Sequence, residues 1–191
     1  MKKHLKWILP ALLVAGVGAL IWLLDLPHWK RLDLDLIQNL PESTAVYDCY
    51  GEKTMALGAA RPREHIALSQ LPEHVKNAFI AAEDQRFYTH SGVDVKRMLG
   101  ALVNDIRAGS FVQGASTITQ QLIKLTHLSS EKTLSRKAQE IVLARQLERR
   151  LSKDEILEAY LNAVYFGNGA FGIQSAAQVY FGKDASALTV A

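Results

Sequence analysis

The sequence predicts an all-α, mainly helical domain that follows a single N-terminal transmembrane helix. Residues 7–24 contain no formal charge, and from residue 71 onward the apolar side chains recur with the period of a helix. Only residues 41–62 show a pattern typical of strands. A chain of 191 residues has room for one domain and an appendage.

Composition excludes several classes of function. The chain has 22 Lys and Arg against 19 Asp and Glu, and a net charge of +3 is too small to indicate nucleic-acid binding. Its one cysteine, Cys49, excludes an intramolecular disulfide framework and a cysteine-based zinc site. The six histidines lack an H-E-x-x-H spacing, so the sequence predicts no metal site.

The N-terminal residues predict a membrane anchor. The lysines among residues 1–6 indicate a cytoplasmic tail, and residues 7–24 meet the lower limit of about 18 apolar residues for spanning a bilayer. Trp7 and Trp22 stand near the two ends, where indoles favour the membrane interface. A cleaved signal peptide is the alternative, but no small-x-small site follows Leu24. We therefore expect an uncleaved single-pass anchor in the cytoplasmic (inner) membrane, with the remaining chain on its outer side.

Residues 25–70 are predicted to form a juxtamembrane connector. Residues 25–40 mix charges with leucines and could be helical or extended. Residues 44–47 and 54–57 are short apolar runs that flank a segment containing Gly51. This arrangement predicts a β-hairpin, the one β element expected in the chain.

Six helices are predicted from residue 72 onward. Ser152 and Glu155 form a capping box that opens the fifth helix, and Ser116 or Thr117 is placed to cap the third. Gly109 is a stop signal for the second helix. The expected ranges are about 72–88, 93–107, 116–128, 129–151, 152–165 and 173–180.

Two adjacent carboxylates, Glu83 and Asp84, lie near the end of the first predicted helix. On a helix that continues to residue 88, Phe79, Ile80 and Phe87 would share a face with Glu83. Apolar surroundings would raise the pKa of that carboxyl toward the range of a general base. The alternative is a solvated helix end that carries ordinary surface acids.

The third predicted helix has a polar stripe made of Thr117, Gln121 and Lys124. The hydroxyl-rich segment 114–121 leads into it. Free N–H groups at a helix start, hydroxyls and a lysine together form a suitable receptor for phosphate. The alternative is a capped helix with a solvated face.

The fourth predicted helix carries a second carboxylate among cations. Arg136 and Glu140 are spaced to pair, and Lys137 adds another positive charge. A surface ion pair worth a few tenths of a kcal/mol is one interpretation. A carboxylate held among cations that face a pyrophosphate is the other.

Two further patterns are weaker. Gly167, Gly169 and Gly172 spell G-x-G-x-x-G, but they follow a helix and not a strand, so we interpret them as turn glycines. His90 is expected to cap or hydrogen-bond the loop that leads into Gly92, and not to act as a ligand.

Taken together, the ordered segments 83–92, 114–121, 136–140 and 153–162 resemble the motifs of a known family. They are similar to the peptidoglycan glycosyltransferase domain (glycosyltransferase family 51) of class A penicillin-binding proteins and monofunctional transglycosylases. Their sequences are EDQRFYTHSG, GASTITQQ, RKAQE and KDEILEAYLN. The resemblance covers about residues 71–191 and continues through residues 165–172 and 176–183.

The resemblance implies a lysozyme-like fold with a large lobe and a smaller, membrane-proximal jaw. It also implies polymerisation of lipid II, an undecaprenyl-pyrophosphate-linked disaccharide-peptide, into β-1,4 glycan strands with inversion. By position, Glu83 matches the general base, which takes the proton from the 4-hydroxyl of the acceptor sugar. Glu140 matches a second catalytic glutamate that assists at the leaving pyrophosphate, directly or through a divalent cation (Mg²⁺ or Mn²⁺). The sequence by itself requires no cofactor.

The same resemblance implies a set of substrate-binding residues. Polar and cationic side chains hold the phosphates, and three other motif residues shape and orient the site. The first group is Gln121, Lys124, Arg136 and Lys137, and the second is Asp84, Phe87 and Ser116. The implied partners are lipid II, the growing glycan strand, the membrane and other cell-wall synthesis proteins, with no nucleic acid.

The family's domain continues past Ala191, so the resemblance implies that residues 71–191 lack the C-terminal part of the domain.

Two alternative functions follow from the sequence. One is a lysozyme-like hydrolase or lytic transglycosylase, which would also use a buried glutamate. The cations Lys124, Arg136 and Lys137 argue against it, because cleavage of a neutral glycan needs no pyrophosphate clamp. The other is an inactive membrane-anchored fragment or scaffold.

Overall fold

A computed structural model of the chain describes residues 18, 29–40, 44–47, 49–50, 53–57, 63–108, 114, 116–129, 131 and 133–190. This part is mainly helical, which confirms the all-α class of the prediction. The predicted anchor at 7–24 lies outside the described residues, apart from Gly18. Among the described residues, no helix combines the length and the apolar character needed to cross a bilayer.

Seven α-helices and one hairpin make up the described elements. The strands are β1 (Thr44–Tyr47) and β2 (Lys53–Leu57), and short 3₁₀ turns occur at Leu68–Gln70, Phe87–Thr89 and Ala185–Ala187. The helices are α1 (Asp35–Gln38), α2 (Glu73–Glu83), α3 (Val95–Ala108), α4 (Ile118–Thr126), α5 (Leu134–Leu147), α6 (Lys153–Ala163) and α7 (Ile173–Phe181).

The β-hairpin is confirmed at the predicted place. Strands β1 and β2 pair antiparallel, with Thr44 opposite Leu57 and Val46 opposite Met55. The register shifts after Val46, so that Tyr47 pairs with Lys53.

Capping residues account for the helix starts. The predicted capping box of Ser152 and Glu155 is present at α6, and Thr117 forms a second box with Gln120 at α4. Helix α5 begins at Leu134, and the predicted start at 129–130 is wrong. The hydroxyl of Thr133 accepts the N–H of Arg136 and so takes the capping position instead.

The first predicted helix is too long at its C-terminal end. Helix α2 ends at Glu83, because Asp84 leaves the helical region with φ −157° and ψ 75°. Phe87 belongs to a separate 3₁₀ turn. It therefore does not share a helical face with Glu83, contrary to the expectation from a helix that reaches residue 88.

The core lies where α4 packs against both α5 and α6. Fully buried side chains on α4 include Ile118, Leu122 and Ile123, and Leu147 of α5 and Leu161 of α6 are fully buried as well. These residues belong to one hydrophobic cluster. Burial of each large aliphatic side chain stabilises the fold by about 1.5–3 kcal/mol. Helix α4 is therefore held rigidly from two sides.

A close approach of backbones fixes the loop before α3. Gly92 has a φ of +83°, and a Cβ added there would lie 2.8 Å from the carbonyl oxygen of Ala144 on α5. The hydroxyl of Thr117 also donates to the carbonyl oxygen of Gly92 at 2.7 Å. This loop is consequently clamped between α4 and α5 by a position that only glycine tolerates without strain.

Candidate active site

Glu83 lies at the last residue of α2, and its carboxylate contacts α4. The side-chain Nε2 of Gln121 donates to Oε2 of Glu83 at 2.8 Å. The hydroxyl of Tyr160, on α6, donates to Oε1 of Gln121 at 3.2 Å. Glu83 is half-buried. A continuous hydrogen-bonded chain therefore joins helices α2, α4 and α6 at this carboxylate.

The neighbouring carboxylate, Asp84, is fully buried. Its Oδ2 accepts the backbone N–H of Ile118 at 3.1 Å and lies 2.9 Å from Nε2 of His90. A carboxylate at the first residue of α4 interacts favourably with the helix dipole. His90 thus forms a hydrogen bond, but its partner is Asp84 at the end of α2 and not the loop into Gly92 that was expected. Asp84 ties the end of α2 to the start of α4.

Phe87 is buried in the core, away from the surface of the site. The Nζ atom of Lys153 lies 4.5 Å from the centre of its ring, and the ring of Tyr88 packs edge-on at 5.2 Å. Lys153 also pairs with Glu148 at 2.7 Å. These contacts anchor the loop after Glu83 to the start of α6.

Glu140 is the second buried carboxylate, with 2% of its surface exposed. It pairs with Arg136 at 2.8 Å and also with the ammonium group of Lys137. Lys137 in turn donates to the hydroxyl of Ser116 at 2.9 Å. The interpretation as a surface ion pair is wrong, because the carboxylate is desolvated and depends on both cations for compensation.

Residues 116–121 contact the carboxylates of Glu83 and Asp84 on one side and the lysine that pairs with Glu140 on the other. Ser116 contacts Lys137, and Ile118 contacts Asp84. Because these two residues are two apart in sequence, their Cα atoms lie at most about 7 Å from each other. Gln121 contacts Glu83 one turn further along. Lys124 is exposed three residues after Gln121, so it lies on the same side of α4. The structure thus brings Glu83, Asp84 and Lys137 into contact with residues 116–121. Lys124 lies on the same helix, but among the described residues no hydrogen bond or ion pair joins it to Arg136 or Lys137.

One residue that the sequence analysis did not single out supports Glu83 directly. The guanidinium of Arg97 donates to the backbone carbonyl of Glu83 and, at 3.2 Å, to that of Gly114. A cation at the C-terminus of α2 interacts favourably with the helix dipole. The sequence held no signal for this contact, because Arg97 belongs to α3 and meets Glu83 only through the fold.

Arg86 and Asp94 form a further pair beside this contact. Arg86 Nε donates to Asp94 Oδ2 at 2.8 Å, and the backbone N–H of Arg97 donates to Asp94 Oδ1 at 2.9 Å. Burial alone would raise the pKa of Asp94, but these donors outweigh it and hold the pKa below the usual value. Asp94 therefore remains ionised and holds the start of α3.

Tyr160 is the other residue that the sequence analysis missed. Burial, and then the nearby charge of Glu83, raise the pKa of its phenol far above the usual value of 10.0. Tyr160 lies four residues after Ile156 on α6, which is the spacing of a core residue. Its hydroxyl contact with Gln121 could not be inferred from that spacing.

The donor set around Glu140 does not match what a divalent cation needs. Mg²⁺ and Mn²⁺ prefer several open oxygen ligands, but each oxygen of Glu140 already pairs with a cation, Arg136 or Lys137. In the described part of the chain, no cluster of three or more His, Cys, Asp or Glu residues could hold a metal. The arrangement does not fit a metal ion bound by the protein alone, and a divalent cation at the pyrophosphate stays a prediction.

Comparison with known proteins agrees with the resemblance found in the motifs. The family model described as Transglycosylase matches residues 51–191. The chain is 43% identical over 186 residues to penicillin-binding protein 1A of Aquifex aeolicus (strain VF5), covering 96% of this chain and 25% of the relative. It is 44% identical over 191 residues to penicillin-binding protein 1A/1B of Bacillus subtilis (strain 168), covering 98% of this chain and 21% of the relative.

A third relative, penicillin-binding protein 1A of Neisseria cinerea, is 46% identical over 182 residues, covering 94% of this chain and 23% of the relative. The chain thus spans 21% to 25% of the length of these curated relatives. The family match includes Glu83, Glu140 and every substrate-binding residue expected from the motifs. The chain therefore belongs to the transglycosylase family, the peptidoglycan glycosyltransferases of glycosyltransferase family 51.

Proposed function

We propose that the chain is a peptidoglycan glycosyltransferase that polymerises lipid II into β-1,4 glycan strands and releases undecaprenyl pyrophosphate with inversion. One observation carries this proposal. Glu83, and the Lys137 that pairs with Glu140, both contact residues 116–121, which form the start of α4 and the two residues before it. Glu83 contacts Gln121, and Glu140 reaches Ser116 through Lys137. The proposed base on α2 and the cations on α5 therefore both contact the same six-residue segment.

In this mechanism Glu83 is the general base. Its carboxylate removes the proton from the 4-hydroxyl of the acceptor sugar, and the oxygen forms a new bond to the anomeric carbon of the growing chain. Glu83 lies at the end of a well-anchored helix, with Arg97 on its backbone carbonyl and Gln121 on its carboxylate. Such positioning of a general base contributes about 10²- to 10⁴-fold to the rate.

The cationic cluster acts on the leaving group. As the bond between the anomeric carbon and the pyrophosphate oxygen breaks, its electron pair leaves with the lipid pyrophosphate. Lys124, Arg136 and Lys137 stabilise the developing negative charge, because preorganised cations need no reorganisation during the reaction. Glu140 holds Arg136 and Lys137 in place, and Ser116 fixes the ammonium group of Lys137.

The organisation of the whole protein follows from the same proposal. We expect residues 1–6 in the cytoplasm, residues 7–24 in the inner membrane, and the connector 25–70 with the transferase domain 71–191 on the extracytoplasmic side. The domain would have the lysozyme-like architecture of two lobes, and its glycan substrate would remain bound to lipid. Other cell-wall synthesis proteins are the expected partners.

The test is lipid II turnover by the full chain in detergent micelles, compared with incubation of a preformed glycan. We expect polymer from lipid II and no consumption of the glycan. Glu83→Gln should lower turnover at least about 100-fold, since it removes the base. Glu73→Gln is the matched control, because it makes the same change on an exposed residue of the same helix and should leave turnover unchanged.

Two other outcomes of this experiment would contradict the proposal. Consumption of the preformed glycan, lost in Glu83→Gln, would indicate a lysozyme-like hydrolase. No turnover of either substrate would indicate an inactive membrane-anchored fragment or scaffold.

A further inference from the structure

Tyr160 places a buried hydroxyl directly behind the side chain that holds Glu83. Only 2% of the Tyr160 surface is exposed, and its hydroxyl donates to Oε1 of Gln121 at 3.2 Å. On the other end of the same amide, Nε2 of Gln121 donates to Oε2 of Glu83 at 2.8 Å. The two contacts use the two chemically different ends of one amide group.

The orientation of the Gln121 side-chain amide decides whether a donor or an acceptor faces the carboxylate of Glu83. A glutamine amide has an acceptor end and a donor end, and a rotation of about 180° exchanges them. In the rotated form the carbonyl oxygen of Gln121 would face the carboxylate of Glu83, and two acceptors would then repel each other. A hydroxyl that donates to Oε1 favours the form in which the NH₂ group faces Glu83.

Tyr160 serves as a constant donor in this position. Burial raises the pKa of its phenol, and the negative charge of Glu83 raises it further. The phenol consequently stays protonated throughout the pH range in which a glutamate can act as a base. A donor that never ionises keeps the amide in one orientation.

We propose that Tyr160 is a positioning residue of the transfer reaction, which sets the direction of the Gln121 amide so that this amide holds Oε2 of Glu83. This inference rests on the proposed function of Glu83 as the base. Among the described residues, no hydrogen-bond donor contacts Oε1 of Glu83. With Oε2 held by Gln121, Oε1 is the oxygen that takes the proton from the acceptor hydroxyl.

A double-mutant cycle in the full chain tests the inference. Tyr160→Phe removes only the hydroxyl and should lower kcat about tenfold, while KM for lipid II changes less than about twofold. In a Gln121→Ala background the amide is absent, so Tyr160→Phe should then change kcat less than about twofold. A purely structural role for Tyr160 would not depend on the amide.

Tyr180→Phe is the matched control. The hydroxyl of Tyr180 donates to the backbone carbonyl of Phe166 at 2.9 Å, away from the amide. Its effect on kcat should be the same with and without the Gln121 side chain. If Tyr160→Phe also lowers kcat by equal factors in both backgrounds, Tyr160 does not act through Gln121 and the inference is wrong.

A second measurement is independent of turnover and separates this inference from the proposed function. In ¹⁵N-labelled protein, the side-chain amide signals of Gln121 are assigned by their loss in Gln121→Ala. We expect Tyr160→Phe to shift these signals and Tyr180→Phe to leave them in place. If the wild type does not polymerise lipid II, the proposed function fails, and unshifted amide signals in Tyr160→Phe would overturn the orientation argument by themselves.

Discussion

The carboxylate of Asp84 accepts the backbone N–H of Ile118 at 3.1 Å, and this hydrogen bond joins the end of α2 to the first residue of α4. Glu83 and Gln121, the neighbours in the proposed site, lie on these same two elements. Their 2.8 Å contact therefore depends on a link made by the adjacent residue.

Asp84→Asn tests that link. The substitution removes the charge that faces the start of α4 and weakens the contact with His90, which lies 2.9 Å away. We expect the free energy of unfolding to fall by about 1–3 kcal/mol, and lipid II turnover to fall with it because Glu83 loses its alignment. Urea denaturation and turnover measured well below the unfolding temperature check the two effects separately. Asp35→Asn, an exposed change of the same kind, should alter neither, and an equal loss in both variants would contradict the prediction.

Lys137→Met tests the cationic cluster. Lys137 joins Glu140 to Ser116, so its loss leaves the buried carboxylate with Arg136 alone and removes one positive charge beside the pyrophosphate. We expect kcat/KM for lipid II to fall about 10- to 100-fold, as measured by steady-state kinetics. Lys96→Met on α3 is the control, since Lys96 is exposed and is expected to leave kcat/KM unchanged. A wild-type value in Lys137→Met would remove this lysine from the proposed mechanism.

Gly92→Ala tests the clamp between α4 and α5. A Cβ at this position meets the carbonyl of Ala144 at 2.8 Å, and the φ of +83° is strained for alanine. We expect the free energy of unfolding to decrease by about 1–3 kcal/mol, as measured by urea denaturation. Gly100→Ala makes the same change inside α3, where nothing lies within 4 Å of the added Cβ, and should increase stability by up to about 1 kcal/mol. Equal effects of the two substitutions would show that the close approach is unimportant.

We expect the buried His127 to make the free energy of unfolding depend on pH. It is buried, and its Nε2 accepts the backbone N–H of Asp33 at 3.0 Å. Burial lowers its pKa below the ordinary value of 6.5, so between these two values the unfolded chain binds more protons than the folded chain. The contribution of His127 to stability is therefore complete above about pH 6.5 and is lost as the pH falls toward the folded-state pKa, by at most about 1.4 kcal/mol per pH unit.

Urea denaturation of the wild type and of His127→Gln between pH 7.5 and roughly 5 measures this contribution. The wild type should lose more stability than His127→Gln over that range, because only the wild type carries the buried imidazole. His74→Gln, at an exposed histidine, should follow the wild type. Parallel curves for the wild type and His127→Gln would contradict the prediction.

Local features of the fold could be predicted because their causes lie within a few residues. The hairpin at 44–57 and the capping box of Ser152 and Glu155 are confirmed, since turn signals and caps act over short distances. The helix end at Glu83 and the helix start at Leu134 were missed. At Glu83 the deciding partner of Asp84 is the start of α4, which is distant in sequence, and at Leu134 a nearby threonine takes the capping role expected of earlier serines.

In the candidate site, too, the sequence indicates the residue types, whereas the contacts between distant residues appear only in the folded structure. The residue types around Glu83 and Glu140, together with the order of their motifs along the chain, are enough to indicate a base and a cationic cluster. The supporting contacts of Arg97 and Tyr160 carry no such signal. Arg97 lies on a helix without a motif. Tyr160 lies within the motif segment 153–162, but its spacing is that of a core residue and does not reveal its hydroxyl contact.

The amino-acid sequence by itself therefore determined the helical class and the hairpin, and its resemblance to a known family indicated the residues that are proposed to perform the transfer. Only the tertiary structure decided that Tyr160, Gln121 and Glu83 form one chain of hydrogen bonds, and that Glu140 is buried between its two cations. The physical reason is that periodicity and capping depend on neighbours along the chain. Hydrogen bonds between α2, α4 and α6 exist only after the apolar faces of these helices have packed together.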